Sequence, residues 1–281
     1  MRELLVSFRK IMTSRGFWLC VGMTVILMLT TEIYTDINTY NKYSVITALT
    51  ELPAEEFTQH FELCRTVVMN DIRGGWLGMF IPIVTAFCFV PQICAERDNS
   101  AVRFQMFRSS KLKYNLTQFV SGTLAAGVAV LVGYVLVCGA VYLLFPAPSE
   151  FDGREAEWIA SYGFSFPKQL LEIGLYGVFH SIPAMFCTAV MRNKYLIMCI
   201  PFFLKYGLSQ AVQMIQRNAY GDYENINLGL FKFTQIANPD GLLWITDQPD
   251  IKAPALFFGI TAAAFMAAYL IIKQNWRDSG A

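Results

Sequence analysis

The chain has 281 residues, of which 55% are hydrophobic and only 15% charged, where an ordinary soluble domain is about a quarter charged. With its positive mean hydropathy, this composition excludes a soluble enzyme, a nucleic-acid binder and a disordered scaffold. The net charge of +1 identifies no partner by itself, but its distribution along the chain is informative.

A helix needs about 20 apolar residues to cross ~30 Å of hydrocarbon. The charge-poor runs supply six predicted spans, at about 16–33, 74–95, 118–145, 169–191, 195–216 and 253–273. Residues 1–281 therefore read as one transmembrane domain of an all-α polytopic membrane protein, and helical spans of this length exclude a β-barrel.

In chain order, residues 1–15 come first as an interfacial amphipathic helix. Leu4, Leu5, Phe8, Ile11 and Met12 share one face at helical spacing and Arg2, Arg9 and Lys10 lie off it, which predicts a helix flat on the membrane that turns inward at Ser14-Arg15-Gly16. The run after it has no small-x-small cleavage site before Glu32 and Tyr34, so it reads as a retained first span. The outer loop 34–73 carries Phe57, Phe61, Cys64 and Val68 at helical spacing after Pro53, predicting a second amphipathic helix that leads into span 2.

Residues 96–114 form the only sizeable inner loop, and the other inner link is a bare Arg192-Asn193-Lys194. Span 3 carries Gly122, Ala126, Ala129 and Gly133 on one face, and span 6 carries Ala255, Gly259, Ala263 and Ala267 on another. Small residues let helix backbones approach in lipid, by default within the chain. Pro82, Pro91, Pro183 and Pro201 each remove a backbone donor and predict kinks in spans 2, 4 and 5. The outer loops 146–168 and 217–252, one aromatic at Phe151 and Trp158 and the other apolar over 228–236, are expected to cap the outer mouth.

An even number of spans puts both termini on one side. The segments of that side hold thirteen Lys and Arg against four Asp and Glu, while the opposite side holds eight against fifteen. The positive-inside rule makes both termini cytoplasmic in a cell (plasma or inner) membrane. Trp18 and Trp276 at the inner interface and Trp76 at the outer one agree. Of seven cysteines, six fall in or at the ends of spans and read as small buried hydrophobes. Cys64, on the outer side, has no partner for an intramolecular disulfide.

No P-loop, HExxH or GxSxG motif occurs, and no spacing suggests a metal site, so the chain is not read as an enzyme. The residues that demand explanation are ionisable groups within spans: Lys205 well inside span 5, His180 in span 4, and Glu172 toward the outer end of span 4. A charge at the bilayer centre costs roughly 2.5–3.5 kcal/mol on insertion scales, so it should face protein or water. Lys205 is part of a polar translocation path between subunits, a structural partner of Glu172, or a snorkelling side chain.

The inner loop, reading Glu96-Arg97-Asp98-Asn99-Ser100 through Phe107-Arg108-Ser109-Ser110-Lys111-Leu112-Lys113-Tyr114, together with the basic surface helix and six spans, resembles the permease subunits of ABC type-2 exporters. Glu96, Arg108, Lys111 and Tyr114 match the family's pattern. Ser100-Ala101 stands where Gly-Thr is usual, and Gln118 where a Lys is frequent. The resemblance implies that Glu96, Arg97, Arg103, Arg108, Lys111 and Tyr114 belong to a coupling element, or coupling helix, that docks on a separate ATPase subunit. It also implies that a second permease chain, in a homo- or heterodimer, completes the pathway across the lipid bilayer. No cofactor would bind the chain directly, since ATP and Mg would be held by the partner ATPase. The competing readings are a non-transporting membrane anchor or sensor with partner-binding outer loops, and an ion-coupled secondary transporter using Lys205, Glu172 and His180. The missing inverted repeat counts against the last.

Overall fold

The structure is a computed structural model that describes residues 2–36, 40–53, 56–99, 110–151, 154–161, 164–221, 228–247 and 251–275. Helix α1 (Arg2–Met12) is followed after two residues by α2 (Arg15–Leu29), and the pair is bent by 57°. Ser14 caps α2 through its Oγ, which accepts from the Phe17 N–H at 3.2 Å, so the turn lies where the Ser-Arg-Gly sequence places it. Five further helices carry the apolar bulk: α5 (Gly75–Asp98), α6 (Lys111–Leu144), α8 (Phe166–Val190), α9 (Lys194–Gly221) and α11 (Lys252–Asn275). These five are each long and apolar enough to cross a membrane, and the bent α1–α2 pair taken as one span makes six. The protein is a helical, multi-pass membrane protein.

Span 1 ends earlier than the sequence predicts. Thr30 and Thr31 turn their hydroxyls back onto the Ile26 and Leu27 carbonyls, and residues rich in β-branched and aromatic side chains follow. They form β1 (Glu32–Thr35), paired antiparallel with β2 (Lys42–Ser44). Glu32 is thus on an exposed hairpin, 2.8 Å from Lys42. Ser44 then caps the short α3 (Val45–Glu51) in a reciprocal box with Thr47.

The amphipathic helix expected over Phe57 to Val68 does not form as one element. Two 3-10 turns, Glu56–Thr58 and Phe61–Leu63, precede α4 (Arg65–Asp71), and Cys64 before it is extended. The reason is that these side chains serve two cores. Leu63 and Val68 join the main core, whereas Cys64 and Val67 pack with Phe151 and Ile159 from the segment between α6 and α8. A single helical stripe cannot face both, and the break at Cys64 is held by Arg65 N–H donating to the Pro146 carbonyl at 3.1 Å. The segment between α6 and α8 contains α7 (Arg154–Ser161). That between α9 and α11 contains α10 (Leu228–Ala237), followed by a 3-10 stretch, Pro239–Asp247.

The most extensive helix contact is α6 against α8. Gly127 and Gly177 meet there: a Cβ on Gly127 would lie 2.5 Å from Val178 Cγ2 and 2.9 Å from the Gly174 carbonyl oxygen. Gly127→Leu is therefore expected to cost about 1–3 kcal/mol by overpacking, read as a lower unfolding temperature in detergent. The small face of α6 also packs within the chain, Gly122 against Met185 and Phe89, Gly133 against Thr24. The small face of α11 does not. Ala255, Gly259, Ala263 and Ala267 are all exposed, because α11 meets the bundle through Phe258 and Tyr269 on its other side. Of the six span cysteines, Cys199 departs from expectation and is exposed, while Cys64, just before α4, is fully buried.

Candidate functional site

Two groups of charged residues lie at opposite ends of the bundle. At the end bearing α1, Lys10 Nζ lies 2.6 Å from Glu96 Oε1 and Lys113 Nζ 3.2 Å from Glu3 Oε1. The N-terminal helix is thereby tied to the end of α5 and the start of α6, and Ser7 and Ser121 share a hydrogen bond at 2.9 Å on the same contact. Arg97 donates to the carbonyls of Met191 (2.9 Å) and Arg192 (2.6 Å) in the α8–α9 link. Lys111 donates to the Gln274 carbonyl at 3.2 Å, near the end of α11. Glu96 and Arg97 belong to α5, and Lys111 and Tyr114 to α6, so helices extend into what the sequence suggests is a loop. Ser110 makes this possible by capping α6, its Oγ accepting from the Lys113 N–H at 3.4 Å. The Tyr114 hydroxyl is buried with no hydrogen-bond partner among the described residues. Arg103, Arg108 and Trp276 lie outside the described residues.

At the opposite end the charges are deeper. Arg73 and Glu172 are each 1% exposed and form an ion pair at 2.5 Å. Arg73 also donates to the Leu243 carbonyl at 3.1 Å and to the Asn70 side chain, and its guanidinium lies 4.4 Å from the centre of the Trp244 ring. The network continues through Gln169, which donates to Asn70 Oδ1 at 3.2 Å and accepts from the Tyr134 hydroxyl at 2.6 Å. Glu172 is therefore the partner of Arg73, not of Lys205. The sequence placed Arg73 at the edge of a loop, and only folding brings it into the bundle.

Lys205 pairs instead with Asp240, 2.7 Å away. Its ammonium also donates to the Tyr176 hydroxyl at 2.9 Å and to the carbonyl of Gly78. That carbonyl is available for a physical reason: a helical carbonyl accepts from the N–H four residues on, and position 82 is a proline without one. Pro82 thus creates the acceptor that Lys205 uses. The Tyr176 hydroxyl donates to Asp240 Oδ1 at 2.8 Å. One turn along α8, His180 Nδ1 donates to the Tyr176 carbonyl at 2.9 Å, which fixes the neutral tautomer with its lone pair on Nε2. His180 Nε2 is buried and has no hydrogen-bond partner among the described residues.

Burial works to raise the Asp240 carboxyl, but the Lys205 ammonium and the hydrogen bonds from Lys205 and Tyr176 outweigh it and hold the pKa below the ordinary value. A cavity of about 400 Å³ opens beside the pair. One wall is the start of α5, at Gly75 and Gly78 with the N-cap residue Gly74. A second is the polar stripe of α9, with Lys205, Ser209 and Gln213 at four-residue spacing, and Asp240, Leu243 and Trp244 close the third. Arg73, Tyr176 and Asp240 are the participants that sequence reasoning missed.

Asp71, at the end of α4, offers a test of this end's electrostatics. Burial pushes its carboxyl up to about 6, with Glu62 adding to the rise and Asn70 and Arg73 opposing it. A folded pKa above the unfolded value of 3.8 means stability gained below that value and lost as pH rises through about 6. Asp71→Asn is expected to raise stability at pH 7.5 by on the order of 2 kcal/mol and to flatten thermal stability between pH 4 and 7.5. Unchanged pH dependence in the variant would rule this out.

Comparison with known proteins finds no match for this chain among protein-family models, curated proteins or solved structures.

Proposed function

We propose that the protein is the membrane-spanning subunit of an ATP-binding-cassette exporter, with six spans counting α1–α2 as the first and both termini cytoplasmic. ATP and Mg bind a separate ATPase subunit, and a second permease chain completes the pathway in the cell membrane. The observation that carries the reading is the joined end of the bundle. The amphipathic α1 is ion-paired to both flanks of the basic 99–110 segment, through Glu96 and Lys113. The α8–α9 link and the end of α11 are hydrogen-bonded to the same flanks. A push on this end reaches α1, α5, α6, α8 and α11 together, as a subunit driven from outside the membrane requires. The exposed small-residue face of α11 is where a second chain would pack closely.

A cysteine at Ser109 is expected to be labelled by an impermeant maleimide only after the cytoplasmic face is opened, and to crosslink to a co-purifying ATPase. Labelling in intact cells would reverse the topology and remove the coupling role. The cluster of Lys205, Asp240, Tyr176 and His180 specifically favours one alternative, an ion-coupled transporter. In that case transport by the permease alone would follow an imposed pH gradient without ATP.

A further inference from the structure

We propose that the cavity beside Lys205 and Asp240 binds a ligand through a primary ammonium group, with Asp240 as its counter-ion. The two members of the ion pair differ in unused bonding capacity. An ammonium has three donors, and all three of those on Lys205 are engaged, by Gly78, Tyr176 and Asp240. Lys205 is also only 8% exposed, so an anion could reach it only by displacing one of these partners. Asp240 is the opposite case. Its Oδ1 receives both Lys205 and Tyr176, no hydrogen bond to its Oδ2 occurs among the described residues, and its side chain is 41% exposed beside the cavity. The open valence of the ion pair is therefore negative.

The surrounding wall suits the same ligand. Ser209 Oγ is buried without a hydrogen-bond partner among the described residues, and the side chains of Gln210 and Gln213 add amide oxygens on the same face of α9. An ammonium takes up to three acceptors, and Asp240, Ser209, Gln210 and Gln213 all line the one cavity. Met79 and Trp244 give the cavity an apolar flank for a short carbon chain. Acidic residues outnumber basic ones fifteen to eight in the segments at this end, which raises the local concentration of cations.

The inference rests on the cavity being a ligand site of the permease, but its test needs no ATPase, so either can fail alone. The purified full chain in detergent is titrated by calorimetry with n-butylammonium, with butyrate and n-butanol as probes of equal chain length, at constant ionic strength in sodium chloride. Saturable binding of butylammonium is expected, without saturable binding of the other two. Asp240→Asn, which keeps an acceptor for Lys205 and Tyr176, should weaken it at least tenfold. Gln213→Leu leaves the ion pair intact and should weaken it several-fold at an unchanged unfolding temperature. Butyrate binding as tightly as butylammonium, no saturable binding of the amine, or full affinity in a folded Asp240→Asn or Gln213→Leu variant would each overturn the proposal.

Discussion

Arg73→Met is expected to lower the stability of the folded chain by about 3–5 kcal/mol, the scale for removing one member of a fully buried ion pair. Both partners are 1% exposed, so no water can replace the guanidinium at Glu172. The same substitution removes the donor to the Leu243 carbonyl and the cation stacked on Trp244, and so loosens the 3-10 segment Pro239–Asp247 from α8. Arg73→Lys should rescue only part of the loss, since a single ammonium cannot reproduce the planar fork shared among Glu172, Asn70 and Leu243. The double variant Arg73→Met with Glu172→Leu should recover much of it, because an apolar pair of similar volume leaves no buried charge. Unfolding temperature and the yield of monodisperse protein in detergent measure all three. A wild-type unfolding temperature for Arg73→Met would show that the pair contributes nothing.

The spans were legible because each is a long charge-poor run, and their helices follow from backbone polar groups that have no partner in lipid. The ends were less legible. Lys111 and Tyr114 are helical because Ser110 caps them, a local signal that a hydropathy window passes over. At Thr30-Thr31 the chain leaves α2 for the β1–β2 hairpin, whereas a hydropathy reading continues to position 33. The site was half legible. Lys205, Glu172 and His180 stand out because they lie in apolar sequence, but their partners Arg73 and Asp240 sit among ordinary loop charges, and nothing local marks which loop charges fold inward. One signal was readable: Pro82 frees the carbonyl of Gly78, so a buried cation had an acceptor four residues before a proline.

Lys205→Met is expected to separate function from folding where Arg73→Met does not. The substitution leaves Asp240 without its ammonium, but that carboxylate is 41% exposed beside a cavity and keeps the hydrogen bond from Tyr176. Its loss of pairing should therefore cost on the order of 1 kcal/mol, well below that of a dry pair. Assembled protein should remain near the wild-type level, while substrate-stimulated ATPase of the complete transporter should fall at least tenfold if α9 must exchange Lys205 between partners during transport. Asp240→Asn should show a defect at least as large, and adding Lys205→Met to it should deepen the loss no further, because Asp240→Asn removes the charge of the pair as well as the ligand's counter-ion. Glu172→Gln, which belongs to the Arg73 network, should instead add its own loss of stability to that of Lys205→Met. Wild-type stimulation in Lys205→Met would remove the lysine from the transport cycle, and an additive loss of stimulation in the Lys205→Met, Asp240→Asn double variant would show that the pair does not act as a unit.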